Sequence, residues 1–252
     1  MNPYLATKYT VPDGYGHPLF SLPHIFSLIF TGVAIIFLSS LYREKDEKGR
    51  LMIRRVLALL LLLDEIVKDA NAIVTGQWNW NLLPLHLCSV NIFIILLDAF
   101  HESEATKNYL YAVCIPASVS ALIFPSWMTV LPYFSLMSIH SWSVHIMLLI
   151  YPVLLLSGGF VPSLRVFFQK RVIIPFAFFL VFDYFFNYAF NTDFFFLRNG
   201  GEENPLSFFE SIMPDYLYLA LVVFLLISMV LAMYGLNALV GKMRKCDKLA
   251  RQ

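Results

Sequence analysis

The chain has 252 residues, of which 59% are apolar and 14% charged, with a formal net charge of +1 and a mean hydropathy of +0.69. Soluble domains carry charged residues at nearly a quarter of positions, so this composition excludes an ordinary soluble domain and points to the bilayer as solvent. A near-neutral balance with scattered basic residues gives no basis for a nucleic-acid partner.

Seven apolar runs follow one another near 19–41, 53–75, 82–100, 107–124, 137–157, 172–192 and 214–238. Each is about the length that crosses a membrane, so the expected fold is an all-α integral membrane bundle of about seven helices in one domain spanning 1–252. The first run follows Gly- and Pro-containing sequence with one lysine, Lys8, and reads as a retained helix. Between the first and second lie Arg43, Lys45, Lys48 and Arg50, with Arg54 and Arg55 beginning the second.

Alternate loops and the C-terminal tail together carry fifteen Lys and Arg residues, whereas the other side holds Lys8 and Arg198. The positive-inside bias therefore predicts the N-terminus outside and the C-terminus cytoplasmic. A cell membrane, most naturally a bacterial plasma membrane, is the expected location. Of the cysteines, Cys88 and Cys114 fall within helices and Cys246 in the tail, a distribution that suits free thiols.

The second run carries Asp64, Glu65, Lys68 and Asp69. Each such group costs roughly 2.5–3.5 kcal/mol at a helix centre, so this helix should face protein or water. Asp64 and Glu65 stand at i,i+4 and i,i+3 from Lys68 and are expected to neutralise it, as a packing network or as part of a site. Helical rise places Glu65 roughly 15 Å from the outer end. His86 opens the third run, His140 and His145 lie early in the fifth, and Asp183 and Asn187 lie late in the sixth; His24 is similarly placed in the first. Polar groups from five helices thus gather between the midplane and the outside, while the inner halves of the first, fifth, sixth and seventh runs read as apolar. A polar cavity in the extracytoplasmic half is expected.

Cys88 and His86 suggest a nucleophile and base. Two residues along a helix turn about 200°, so a base for Cys88 is expected from another helix, with His140 or His145 as candidates. No metal is expected, because His86, His140, His145 and Glu65 have no local ligand signature, and no phosphate-binding or dinucleotide Gly motif implies a cofactor.

Three segments resemble a known family in order. Leu83-Pro84-Leu85-His86-Leu87-Cys88 is similar to the "LPLHLC" segment of the YwaF-like bacterial integral membrane proteins. The helix from Ser138-Ile139-His140 through His145 to Tyr151-Pro152 resembles that family's His-bearing helix, with His145 at the histidine, and Asn187-Tyr188 through Leu197 resembles its "NYlxgTNymyL" segment, with Asp193 where Asn is usual. Eukaryotic relatives of the transmembrane protein 164 kind are acyltransferases that move fatty acyl groups among phospholipids with a cysteine and a histidine. Their cysteine directly precedes the helix-three histidine; Leu85 stands there in this chain.

The resemblance implies a membrane-embedded acyltransferase or lipid hydrolase with phospholipid as substrate. His86 and His145 would be the base and an oxyanion or headgroup contact, Cys88 the nucleophile with His140 as a further candidate base, and Glu65 the group that orients a histidine. Lys68, Asp69 and Asn187 would bind or orient substrate. The other classes open are a transporter or sensor using the helix-two charges, and a non-catalytic membrane protein. Oligomeric state is left open.

Overall fold

A computed structural model describes residues 2–200 and 205–250, with side chains as far as residue 242. Cys246 and most of the tail's basic residues lie outside the described side chains. Ten α-helices are formed among the described residues: α1 Leu22–Glu44, α2 Glu47–Val74, α3 Leu87–Phe100, α4 Glu104–Tyr109, α5 Ile115–Ile123, α6 Leu136–Ser157, α7 Leu164–Phe167, α8 Lys170–Phe190, α9 Pro205–Ile212 and α10 Asp215–Ala250. Five helical segments are long and apolar enough to cross a membrane: α1, Trp80–Phe100, α6, α8 and Asp215–Lys242. The protein is a multi-pass helical membrane protein.

The remaining two apolar runs are helical but differ in kind. α2 starts at Glu47, six residues earlier than expected, because Asp46 caps it by accepting from Gly49 N at 2.9 Å. Its charges make it less apolar than the other long helices. The fourth run is a relay of α4, a π-helical turn over Leu110–Cys114, and α5. Pro116 has no amide hydrogen and crowds the preceding turn, and the helix widens just upstream, with Ile115 N–H reaching Leu110 O. All five residues of that turn are buried.

The third run does not become helical at residue 82. A 3-10 turn over Trp80–Leu82 is followed by extended backbone at Leu83 (φ −56°, ψ 146°), the conformation imposed on a residue before proline. The α-helix begins at Leu87, with His86 as its extended N-cap (φ −62°, ψ 149°). The expected 200° separation of His86 and Cys88 around one helix therefore does not apply.

α6 is the central element, packed against α1, α2, α3, α5 and the π turn. The core joins Leu61 of α2, Ile92 and Ile95 of α3, Leu110 of the π turn, and Leu148, Tyr151 and Leu154 of α6, all fully buried. Ahead of α1, residues 2–20 form a strap across one end of the bundle. There Leu136 N donates to Tyr4 O at 2.9 Å and Asn71 Nδ2 to Leu5 O at 3.1 Å, while Thr7 N donates to Gln77 Oε1 at 2.8 Å. The strap thus ties the end of α2 to the start of α6.

At the opposite end lies a polar network that the sequence does not single out, where Arg54 reads as one basic residue among several flanking the first loop. Arg54 of α2 is only 6% exposed and Asp98 of α3 is fully buried. Asp98 accepts from Thr106 Oγ1 at 2.6 Å and from Tyr151 Oη at 2.9 Å, with Arg54 Nη1 at 3.8 Å. Arg54 Nη2 also reaches Glu102 at 2.7 Å, and Lys107 reaches Glu102 at 3.1 Å. The apolar expectation for the inner half of the fifth run is corrected at Tyr151, whose hydroxyl is part of this network. Between the network and the charges further along α2, the buried positions are Leu57, Ala58 and Leu61, an apolar layer.

Candidate functional site

At the strap end, α2, α3 and α6 bring the predicted ionisable residues together. Lys68 Nζ sits 2.5 Å from Glu65 Oε1 and 3.2 Å from Asp69 Oδ1, and donates to Leu82 O at 3.0 Å. The expected pairing of Lys68 with Asp64 does not form. Asp64 instead faces α6, where it accepts from Ser143 Oγ and lies 3.4 Å from His140 Nδ1. His140 stands between two carboxylates, since its Nε2 is 3.8 Å from Glu65 Oε2. Glu65 thus faces His140, rather than His86 or His145, and also accepts from Ser89 Oγ at 3.2 Å.

His145 lies one turn further along α6. Its Nδ1 is 2.6 Å from Ser141 O, and a carbonyl only accepts, so this nitrogen carries the proton and Nε2 keeps a lone pair in the neutral ring. The imidazole is held flat against Trp127, with ring centroids 4.8 Å apart and an interplanar angle of 8°.

His86 and Cys88 approach from α3. His86 is the N-cap of α3 and Cys88 lies in its first turn, next to the Ser89 whose hydroxyl donates to Glu65. Edge-on contact with Phe194, at 4.7 Å and 70°, fixes one side of the His86 ring. Cys88 is a half-buried free thiol. Cys114, the other free thiol among the described side chains, lies in the π turn and donates to Leu148 O.

Asn187 acts at one remove from this cluster. Its Nδ2 donates to Phe194 O at 2.9 Å, while its Oδ1 accepts from Phe194 N at 2.8 Å and Thr192 Oγ1 at 2.9 Å. The amide therefore orients Phe194, and through it His86. That turn needs holding, because Phe195 and Phe196 have φ of 58° and 55°, a left-handed backbone costing on the order of 1–3 kcal/mol for such residues. Asp193, where the resembling family has Asn, accepts from the amides of Arg198 and Asn199. Burial pushes its carboxyl up, and those two amides pull it partly back.

His24 does not join the cluster. Phe20 N–H, just ahead of α1, donates to its Nδ1 and its Nε2 donates to Leu122 O of α5, each at 2.9 Å, so both nitrogens are used and the second ties α1 to α5. Asp183 is fully buried, with neither carboxylate oxygen hydrogen-bonded among the described residues.

Asp64 and His140 also form part of the wall of a groove of ≈ 370 Å³ whose other sides include Val67, Leu136 and Ile139. An imidazole between two carboxylates is an acid–base set, and two of its members, Asp64 and His140, open onto a largely apolar groove. No cluster of three or more His, Cys, Asp or Glu arranged to hold a metal occurs among the described residues. No curated protein and no solved structure matches the chain. The TMEM164 family pattern matches residues 19–234, from just ahead of α1 into α10 and across every residue of the cluster, so the chain belongs to the TMEM164 family.

Proposed function

We propose that this protein is a membrane-embedded acyltransferase or lipid hydrolase that works on phospholipid acyl chains from the extracytoplasmic half of a seven-span bundle. In this reading α2 and the α4 to α5 relay cross the bilayer along with the five apolar helices. The N-terminus faces outward, the C-terminus faces the cytoplasm, and the membrane is a bacterial plasma membrane. The strap end is then the outer end.

The observation that carries the reading is the imidazole of His140 set between the carboxylates of Asp64 and Glu65, with Asp64 and His140 lining an apolar groove; His86, Cys88 and His145 are assigned to the same site in this reading. Attack on the ester carbonyl comes from Cys88 Sγ, or directly from the hydroxyl of an acceptor lipid or water. His145 Nε2 accepts the nucleophile's proton and returns it to the departing lyso-lipid oxygen. With Cys88 as nucleophile, an acyl thioester forms and a second acceptor hydroxyl releases it, so acyl group and proton are both accounted for. His86 supplies the oxyanion or headgroup contact, and Glu65 with Lys68 holds His140 in place.

A through-path for ions, the main alternative, is opposed by the layer of Leu57, Ala58 and Leu61 between the two polar regions. Purified protein in phospholipid vesicles with a radiolabelled acyl chain tests the proposal. Labelled fatty acid or a newly acylated lipid is expected, and no release or transfer with any acceptor lipid or water would remove the enzyme reading.

A further inference from the structure

The groove has a direction that the acid–base cluster alone does not explain. The strap crosses its end, with Tyr4 bonded to the first residue of α6 and Leu5 to Asn71 of α2. Both strap residues line the groove. Below Asn71, Val67 and Asp64 lie about 6 and 10 Å further along α2; below Leu136, Ile139 and His140 lie about 5 and 6 Å along α6. The groove thus runs between the two helices under a bridge pinned at both sides.

Its flank carries exposed apolar side chains. Val67 is 42% exposed, Ile139 53% and Phe134 75%, and all three line it. The apolar lining continues directly into this surface, and the polar groups Asp64 and His140 lie in its wall. A site of this kind takes an amphiphile whose chain stays in hydrocarbon while its polar junction meets the carboxylate and imidazole.

We propose that the groove is the binding site for one fatty acyl chain of a bilayer lipid, which reaches Asp64 and His140 sideways between α2 and α6, beneath the strap. The site rests on the enzyme reading for its purpose, but its occupancy is measured separately. Val67 and Ile139 shape the chain channel, and the strap closes the aqueous route.

The test uses the full chain in phosphatidylcholine vesicles containing a phosphatidylcholine with a diazirine beside the ester carbonyl of one acyl chain. After irradiation, adducts are mapped by mass spectrometry. Adducts on Asp64 and His140 are expected in excess of those on Phe185, an exposed residue of α8 a similar distance from its outer end in this reading. Filling the channel with Val67→Trp plus Ile139→Trp, both at exposed and tolerant positions, should lower the Asp64 and His140 adducts about tenfold, the loss expected from two buried methylenes. The control Phe185→Trp should leave them unchanged. Adducts spread evenly over lipid-facing residues, or undiminished in the double tryptophan variant, would overturn the groove assignment. Turnover assayed on the same vesicles separates the two ideas: adducts in the groove without turnover keep the binding site and remove the enzyme, whereas turnover with adducts elsewhere does the reverse.

Discussion

α2 carries two buried polar regions, and they are built on opposite terms. At the first-loop end, Asp98 has both oxygens bonded and a guanidinium beside them, and Arg54 divides its charge between Asp98 and Glu102, with only its Nε left without a hydrogen bond. At the strap end, no hydrogen bond reaches His140 Nδ1, and Asp69 Oδ1 is met only by the Lys68 ammonium. There His145 keeps an unprotonated nitrogen and a groove adjoins the cluster. Buried polar groups that satisfy one another hold helices in register, whereas under-bonded groups beside a cavity are available to a ligand. The first region reads as structure and the second as chemistry.

The contrast breaks most visibly if the first-loop network proves dispensable. Asp98→Ala leaves the buried Thr106 and Tyr151 hydroxyls without their acceptor and Arg54 with Glu102 alone, and should cost about 3–5 kcal/mol, seen as a lower unfolding midpoint in detergent. A shift within error would show that the network does not hold α2, α3 and α6 together. Lys68→Met leaves Glu65 facing only Ser89 and His140; the expected loss is smaller, about 2–3 kcal/mol, because those partners remain. A stability loss equal to that of Asp98→Ala would erase the distinction between the two regions.

Glu102 sharpens the comparison through pH. The Arg54 hydrogen bond, aided by that of Lys107, holds its carboxyl down at about 2, against an ordinary 4.5, despite an opposing contribution from burial. A depressed folded value means the stabilisation is fully present above about pH 4.5 and fades as pH falls toward 2. Because its side chain is 41% exposed, the effect should be below about 1 kcal/mol. Glu102→Gln is expected to flatten the acid limb of the stability profile between those values and to leave neutral-pH activity unchanged. An unaltered limb would place the acid sensitivity elsewhere.

Much of the fold was legible because hydropathy runs and turn signals are local. The departures also have local causes: Asp46 extends α2 backward, Pro84 delays α3, and the π turn forms just before Pro116. Side-chain partners were less legible, since they depend on how helices pack. Arg54 and Asp98 are 44 residues apart and meet only because α2 lies against α3. Their opposite charges at the same end of neighbouring runs were the available signal. Lys68 had two acids at suitable helical spacing, but Asp64 turns toward α6. Asn187 and His24 looked like site residues because they are polar within apolar runs, and their hydrogen bonds show a positioning role for the first and a tethering role for the second.

The central claim is that the strap-end imidazoles perform acyl chemistry rather than packing. Acyl transfer or release should therefore be compared, together with unfolding midpoint, for the natural chain and His86→Ala plus His145→Ala in phospholipid vesicles. The account predicts a rate loss of at least about 10²-fold with little change in midpoint. Unchanged turnover, or a loss that follows unfolding alone, would contradict it.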